Sequence, residues 1–359
     1  MQEVKHPQLT IRRAEASDTE AIVTLLDTVM STGGVPRSAA YWRWKHEANP
    51  FGPSATLVAE GPDGELAALR TFLEWRWQAG GRTYRAVRPV DTAVHPDWRR
   101  RGLFTRLTTQ LVDEMQAEGV DFIYNTPNKR SLAGYLKMGW QKAGSVTVWV
   151  RVLRPGRIAG AVLGRMDDDR RWTTDDRPVA PRNDNAKGDN GGGGGLTAIL
   201  SDPALEAFLE GVCLDGGRLA TAVDAEYLRW RYHDIPGMRY YAAGAFDERE
   251  GAVVFYRTRE RWRGIVELRV CDLLVGPGRS SHKMARRLLG QVMRSGEASV
   301  ATAMAPVRSP AGRVLLRSGF VPVPWLGPTL AVRPLPGYNG PDVTRLSSWG
   351  ASIGAMELF

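Results

Sequence analysis

The chain has 359 residues and a formal net charge of +9, and 43% of its residues are hydrophobic. This length suggests about two domains with apolar cores. No run approaches the roughly 18 apolar residues of a membrane span, and the N-terminus lacks the apolar segment of a secretory signal. Two isolated cysteines, Cys213 and Cys271, argue against disulfides and metal sites, so we expect a cytoplasmic protein with no metal and no membrane partner. Because basic residues are spread along the chain, with only one compact triplet at Arg99–Arg101, nucleic-acid binding is not expected.

The first predicted elements are a strand, a helix and two aromatic clusters. The segment from Ile11 reads as a strand and then a helix, with Ser17 and Glu20 as a capping box. The clusters Tyr41–Trp44 and Trp75–Trp77 fit either a substrate pocket or a core. Alternation in the second cluster places both tryptophans on one face of a strand, which core packing explains equally well.

The segment Val90–Phe104 is the most informative one. It reads as a strand, a turn rich in backbone donors, and a helix whose start carries Gly102. One apolar face of that helix is formed by Leu103, Leu107, Leu111 and Met115. A strand that leads through such a turn into a helix N-terminus presents unpaired N–H groups, which bind phosphate or pyrophosphate well. Glycine lets the anion approach the backbone closely.

Two motifs make this segment specific. The run R-R-R-G-L-F has Arg99 and Gly102 at the spacing of the acetyl-CoA pyrophosphate loop of the GNAT (Gcn5-related N-acetyltransferase) superfamily, and Phe104 stands where Gly or Ala is usual. The run N-K-R-S-L-A-G-Y-L-K-M-G-W at Asn128–Trp140 is similar to a second signature of that superfamily. The resemblance covers about residues 9–150.

The resemblance implies a cofactor and a general acid. Acetyl-CoA is the expected cosubstrate, the backbone of the fourth strand pairs with its pantetheine arm, and the hydroxyl of Tyr135 faces the thioester sulfur and protonates the departing thiolate. The residues that it assigns to acetyl-CoA are Thr92, Ala93, Val94, Arg99, Arg100, Arg101, Gly102, Leu103, Phe104, Thr105, Asn128 and Ser131.

The general base is open. Asp91 lies in the right strand, but Asp272 occupies the equivalent place in the second half of the chain, which favours a structural role. His95 is a second candidate, because an unperturbed imidazole titrates near pH 6.5. By analogy with some tandem relatives, the C-terminal carboxylate of Phe359 is a third, and a water chain to solvent is a fourth.

The second half of the chain repeats the first. The sequence Y-W-R-W-K-H at 41–46 returns as Y-L-R-W-R-Y at 227–232, and Y-L-K-M-G-W at 135–140 returns as L-L-R-S-G-F at 315–320. The strand exits V-L-R-P and A-V-R-P also match. Several echoes in the same order indicate a duplication.

The second copy has lost the residues that hold a cofactor. Ser280 stands for Arg99, Lys283 for Gly102, Arg308 for Asn128 and Leu315 for Tyr135. We therefore interpret it as a non-catalytic partner domain. Trp44 is retained as Trp230, which indicates a structural role, whereas Trp42 is matched by Leu228 and is the better candidate for an acceptor pocket.

These patterns predict an α/β chain with mixed α+β sheets, built as two tandem GNAT-type acyl-CoA N-acyltransferase domains. The predicted spans are 1–156 for the acetyl-CoA domain, 164–196 for a flexible Asp/Gly-rich linker, 197–335 for the degenerate domain, and 336–359 for a tail packed on the second domain.

The expected activity is transfer of an acetyl group from acetyl-CoA to a primary amine of a small molecule by direct attack. The alternatives are a longer acyl donor, a peptide or protein amine as acceptor, and a non-catalytic protein that binds acyl-CoA as a sensor. The sequence identifies neither the acceptor nor the oligomeric state.

Overall fold

The computed structural model describes residues 9–29, 37–163, 195–212 and 217–356. The strands in these ranges are β1 (Thr10–Arg13), β2 (Ala55–Glu60), β3 (Leu66–Ala79), β4 (Arg82–Val94), β5 (Phe122–Asn125), β6 (Gln141–Ser145), β7 (Val148–Val152), β8 (Ala220–Thr221), β9 (Tyr241–Phe246), β10 (Gly251–Glu260), β11 (Val266–Val275), β12 (Val300–Met304), β13 (Val321–Val323) and β14 (Thr329–Pro334). The α-helices are α1 (Thr19–Val29), α2 (Ala39–His46), α3 (Leu103–Ala117), α4 (Lys129–Lys137), α5 (Pro155–Leu163), α6 (Leu196–Leu200), α7 (Leu205–Gly211), α8 (Ala225–Tyr232), α9 (Gly278–Arg294) and α10 (Pro310–Arg317). Cys213 and nearly all of the predicted linker 164–196 lie outside the described residues.

Two mixed sheets share one strand plan. The first runs β1-β2-β3-β4-β5-β14-β6, with β8 beside β3, and the second runs β9-β10-β11-β12-β7-β13. Each sheet has a parallel pair at the same place, β4 with β5 and β11 with β12, and its other neighbours are antiparallel. The predicted mixed α/β fold with a repeated domain is confirmed.

The two halves exchange a strand. In the first sheet β14 lies between β5 and β6, and in the second β7 lies between β12 and β13. Leu330, Ala331 and Val332 of β14 and Trp149 of β7 have no exposed surface. The spans 1–156 and 197–335 therefore do not each form one sheet, and this corrects the predicted boundaries. The sequence predicts both strands, but strands close in sequence are usually neighbours in space, and these are not.

A pair of tryptophans marks the pseudo-twofold relation between the halves. The indole Nε1 of Trp44 donates to the carbonyl oxygen of Trp230, and Nε1 of Trp230 donates to the carbonyl oxygen of Trp44, each at 2.8 Å. Their rings stack with centroids 4.9 Å apart. Because these residues are equivalent in the two copies, reciprocal bonding places the symmetry axis between them. The structural interpretation of Trp44 follows from these contacts.

Helix α3 buries the face that periodicity predicts. All four apolar residues of that face are buried against β2 and β3. The start of α1 differs from the prediction, because the capping box joins Glu15 and Asp18 rather than Ser17 and Glu20. Asp18 is held there by an ion pair with Arg12 at 2.7 Å, and a 3-10 turn precedes the helix.

The C-terminal tail contacts both sheets, which corrects the prediction that it packs on the second domain alone. Trp349 lies in the core against Trp77 of β3 and Phe122 of β5, at centroid distances of 4.8 and 5.6 Å. Farther along, the N–H of Gly354 donates to the carbonyl of Cys271 in β11 at 3.0 Å.

Within the described part of the chain, no helix has both the length and the apolar character needed to cross a bilayer. The same residues contain no group of three or more His, Cys, Asp or Glu side chains placed to hold a metal ion.

Candidate active site

A cleft opens where two parallel strands diverge. β4 and β5 pair only at Ala86 with Phe122 and at Val87 with Ile123, whereas β14 pairs with all four residues of β5 on its other side. The cavity has a volume of about 560 Å³. It is lined by residues of α1, α2 and α4, the start of α3, the ends of β4 and β5, and the segments before α2 and α4, namely Val23, Leu26, Arg37, Ser38, Tyr41, Trp42, Lys45, His46, Arg88, Pro89, Val90, Asp91, Thr92, Phe104, Asn125, Thr126, Pro127, Asn128, Ser131 and Tyr135.

A bulge in β4 shapes the wall of this cleft. Asp91 and Thr92 together face one residue of β3, Arg70, because the strand register shifts there. Asp91 has a φ of 41°, in the left-handed region that Asp and Asn tolerate best among residues with a side chain. Bulges redirect side chains in this way. Of the three strand residues assigned to the cofactor, Thr92 lines the cleft, while Ala93 is buried in the core and Val94 pairs with β3.

The start of α3 has the geometry of an anion site. Gly102 precedes the helix at a φ of 72°, and a Cβ atom added there would have no neighbouring heavy atom within 4 Å. The backbone N–H groups of residues 103–105 have no carbonyl one turn earlier. Arg99, Arg100 and Arg101 are exposed around them, and the guanidinium of Arg101 lies 4.6 Å from the Trp98 ring.

The equivalent helix start in the second copy already carries a protein carboxylate. The hydroxyl of Ser280 in α9 donates to Oε2 of Glu250 at 2.5 Å. A Cβ atom at Gly278 would lie 3.1 Å from the other oxygen of that carboxylate. An anionic side chain at this position repels a phosphate, which agrees with the predicted loss of cofactor binding in this copy.

Tyr135 lies in the cleft beside a buried cation. Its ring is 5% exposed, and its hydroxyl oxygen accepts a hydrogen bond from Nη2 of Arg70 at 2.8 Å. The rings of Phe104 and Trp140 pack around it at 5.7 and 5.2 Å. Phe104, which departs from the family pattern, therefore forms part of the tyrosine's packing.

Asn128 caps α4. Its Oδ1 accepts hydrogen bonds from the backbone N–H groups of Arg130 and Ser131, both at 2.9 Å. The amide nitrogen of its side chain has no protein acceptor among the described residues, so it is available to a ligand in the cleft. In the second copy the cap of α10 is Ser309, one residue beyond the Arg308 that the sequence comparison suggested.

Asp91 is held by two basic side chains. Its Oδ2 lies 2.8 Å from Nζ of Lys45 and 2.9 Å from Nε2 of His46. Nδ1 of His46 contacts the Ser54 hydroxyl at 2.9 Å. Burial alone raises the pKa of Asp91, but the charges and hydrogen bonds of Lys45 and His46 outweigh it and hold that pKa well below its usual range. A carboxylate held this way is a weak base.

The second copy repeats this contact with a tyrosine in place of the histidine. The hydroxyl of Tyr232, the last residue of α8, donates to Oδ2 of Asp272, as His46 at the end of α2 meets Asp91. Burial raises the pKa of Asp272, in contrast to Asp91. Because both aspartates tie the same helix end to the same strand, the geometry favours a structural role for Asp91.

The other two candidates for the general base on the chain are His95 and the C-terminal carboxylate of Phe359. His95 is only half-buried and does not line the cleft; its Nδ1 lies 3.6 Å from Asp97. It comes directly after the end of β4 and is outside the set of residues that line the cleft, which argues against it as the base. Phe359 lies outside the described residues.

The aromatic clusters divide between cleft and core. Trp42 lines the cleft, with its ring 4.0 Å from His46. Trp75 and Trp77 are fully buried, and Nε1 of Trp75 donates to Thr221 at 3.1 Å. The core interpretation of the second cluster is therefore the correct one.

Sequence reasoning missed three cleft-side residues. Arg70 stands in the apolar run L-A-A-L-R-T-F-L, where the pattern offered no chemical signal. Arg88 is 5% exposed and donates to Thr126 Oγ1 at 2.9 Å and to the carbonyl of Met356. For His46 a signal existed, since the repeat replaces it by Tyr232.

Comparison with known proteins agrees with this geometry. Residues 10–143 match the family model described as the acetyltransferase (GNAT) domain. No curated protein sequence matches the chain significantly.

Several solved structures share the fold across both halves. A GCN5-related N-acetyltransferase from Anabaena variabilis ATCC 29413 has a TM-score of 0.58 at 14% identity, covering 91% of this chain and 72% of its own. A probable N-acyltransferase from Enterococcus faecalis V583 has a TM-score of 0.57 at 10% identity, with coverages of 91% and 73%. Eis1 from Mycobacterium abscessus has a TM-score of 0.53 at 17% identity, also with coverages of 91% and 73%. At these identities the likeness establishes the fold alone.

Proposed function

We propose that this chain, whose residues 10–143 match the acetyltransferase (GNAT) domain, transfers an acetyl group from acetyl-CoA to a primary amine of a small molecule. The observation that carries this proposal is the cleft between β4 and β5. The divergence of the strands, the capped start of α4 and the Tyr135 hydroxyl meet at one cavity in the first copy.

The residues around the cleft fit an acyl-CoA donor. The free N–H groups at the start of α3 and the arginines of its loop suit a pyrophosphate, and Gly102 leaves room for it. The unpaired backbone at the Asp91–Thr92 bulge faces the cleft and suits an amide-bearing arm. The matching helix start in the second copy is occupied by Glu250, so one donor site per chain is expected.

The chemistry follows from the position of Tyr135. The acceptor nitrogen attacks the thioester carbonyl carbon, a C–N bond forms, the C–S bond breaks, and the electron pair of that bond stays on sulfur. Tyr135 then gives its hydroxyl proton to the thiolate, and the surplus proton of the amine leaves to solvent. Orientation of donor and amine in one cleft supplies much of the acceleration, and proton donation supplies a further part.

The test is release of the CoA thiol from acetyl-CoA with a panel of amines, using wild type, Gly102→Glu and Gly119→Glu. The two glycines lie at opposite ends of α3, with φ values of 72° and 75° and no neighbouring atom within 4 Å. They are therefore matched for backbone strain. Gly102→Glu also places a negative charge at the anion site, so we expect about a tenfold or larger rise in the Kd of acetyl-CoA for that variant only.

Three outcomes distinguish acetyl transfer from acyl-CoA sensing and test the donor site at the start of α3. Amine-stimulated thiol release that weakens in Gly102→Glu and not in Gly119→Glu supports the proposal. Binding of acetyl-CoA without release for any amine supports the acyl-CoA sensor and overturns transfer. Equal weakening in both variants removes the start of α3 from the donor site. Peptides in the panel distinguish a peptide amine from a small-molecule acceptor.

A further inference from the structure

A buried arginine stands behind the hydroxyl of Tyr135. Arg70 is 1% exposed, and none of the described residues supplies a carboxylate to it. Taking a cation out of water costs several kcal/mol unless it is paired or bonded. A buried charge without a counter-ion in the middle of a core strand therefore needs a reason beyond folding.

The surroundings of Arg70 offset only part of that cost. Nη1 donates to Thr92 Oγ1, Nη2 donates to Tyr135 at 2.8 Å, and Nε has no partner among the described residues. The rings of Phe104 and Phe72 lie 5.1 and 5.2 Å from its guanidinium carbon, within the range of cation–π attraction. Burial lowers the pKa of Arg70, although an arginine starts so high that it remains charged.

The chemistry of the guanidinium fixes the direction of the tyrosine's proton. Arginine has five donors and no acceptor, so the phenol oxygen of Tyr135 must accept from it and cannot donate to it. No other described residue accepts a hydrogen bond from this hydroxyl. The side chain of Tyr135 lines the cleft, and its hydroxyl hydrogen therefore finds its acceptor there.

Resting on the function proposed above, we infer that Arg70 is a positioning residue for the general acid. It aims the Tyr135 proton into the cleft and stabilises the negative charge that stays on the phenol oxygen when that proton passes to the sulfur. The bond lost is O–H and the bond gained is S–H, so the charge moves from sulfur to an oxygen 2.8 Å from a cation.

The second copy supports this pairing of roles. There the matching strand pairs, Ala68 with Val94 and Ala252 with Val275, place Val254 where the first copy has Arg70. Leu315 replaces Tyr135. The arginine and the tyrosine are thus absent together from the copy whose helix start carries Glu250.

The experiment is a double-mutant cycle of Arg70→Ala and Tyr135→Phe, with kcat and KM for both substrates. Arg70→Ala should lower kcat about 10- to 100-fold, the size expected for a lost charge-assisted hydrogen bond, with KM within about threefold. Tyr135→Phe should lower kcat by about 10²–10⁴. In the Tyr135→Phe background, Arg70→Ala should cost less than about a further twofold.

Chemical rescue separates charge from packing. Guanidinium ion below the concentrations that unfold the protein should restore part of the kcat of Arg70→Ala, while urea, which has a similar shape and no charge, should not. Neither should rescue the double variant. Arg70→Lys keeps a cation, and its kcat should stay within about tenfold of wild type. This variant is measured in place of Arg70→Ala if Arg70→Ala fails to fold.

Each contrary result has its own meaning. A near-normal kcat in Arg70→Ala, an equal loss in both backgrounds, or rescue by urea as strong as by guanidinium overturns the role of Arg70. A normal kcat in Tyr135→Phe instead removes Tyr135 as general acid, and with it the mechanism proposed above.

Discussion

Leu330→Ala tests whether the strand exchange ties the two halves into one folding unit. Leu330 comes late in the chain, yet it lies in β14, an internal strand of the first sheet, with no exposed surface. It belongs to the largest apolar cluster, which draws residues from both halves. Removing three buried carbons costs about 2.4 kcal/mol in transfer free energy. The cavity left behind raises the expected loss of unfolding free energy to about 3–5 kcal/mol.

Hydrogen exchange followed by mass spectrometry, together with urea unfolding, measures this effect. Because each sheet needs a strand from the other half, amides in β5 and β6 and amides in β11 should lose protection by the same amount. Urea unfolding should stay a single transition with a lower midpoint. The control is Leu316→Ala, the same change on α10 at a side chain that is 56% exposed, with an expected effect within about 0.5 kcal/mol.

A loss of protection confined to the first sheet would refute the reasoning. So would two separate unfolding transitions in the wild type. Either result would mean that each sheet stays folded without the other, and that the exchanged strands are peripheral to stability.

Two further predictions concern the contacts between α2, α8 and the strands. Trp44→Phe and Trp230→Phe should each lower the unfolding free energy by about 1–3 kcal/mol, because each leaves a buried carbonyl unpaired. The two losses, measured by urea unfolding, should agree within about twofold if the pair lies on a pseudo-twofold axis. Clearly unequal losses would contradict the symmetry. Asp91→Asn keeps a residue that tolerates the φ of 41° and should cost about 1–3 kcal/mol at neutral pH. The folded-state pKa of Asp91 is depressed, so its contribution to the unfolding free energy is complete above the ordinary carboxyl pKa and is lost as pH falls below it. The difference in unfolding free energy between wild type and Asp91→Asn should therefore shrink between about pH 5 and 3. A difference that does not change with pH would show that the pKa of Asp91 is not depressed.

Local pattern predicted the parts of the site that depend on local structure. Gly102 marks a turn at positive φ, the apolar face of α3 follows from helical spacing, and Asn128 caps the next helix. These features need only neighbours in sequence, and the signature that carried Tyr135 has a fixed spacing within one helix. The sequence was therefore sufficient to place Tyr135 and the anion loop on the right elements.

What the sequence could not predict depends on distant pairing. The exchange of β7 and β14 changes no residue pattern, since a strand reads the same whichever sheet receives it. The bulge at Asp91–Thr92 arises from the register of β3 against β4. Arg70 faces that bulge, so its proximity to Thr92 and Tyr135 becomes evident only once the register of β3 against β4 is known.

The C-terminal tail occupies the part of the second copy that corresponds to the first cleft. Beyond Ala303 the parallel pair β11 and β12 also diverges, but the cavity there is only about 90 Å³, and Gly350, Ala351, Ser352 and Ala355 of the tail line it. Any Cβ at Gly354 would lie 2.1 Å from the Asp272 carboxylate, so the tail fits the remnant cleft closely. Two residues later the carbonyl of Met356 accepts from Arg88 in the first cleft. The cleft of the second copy thus holds a segment whose Met356 contacts the first cleft, and the second half of the chain contributes an internal strand and this tail to the surroundings of the first cleft.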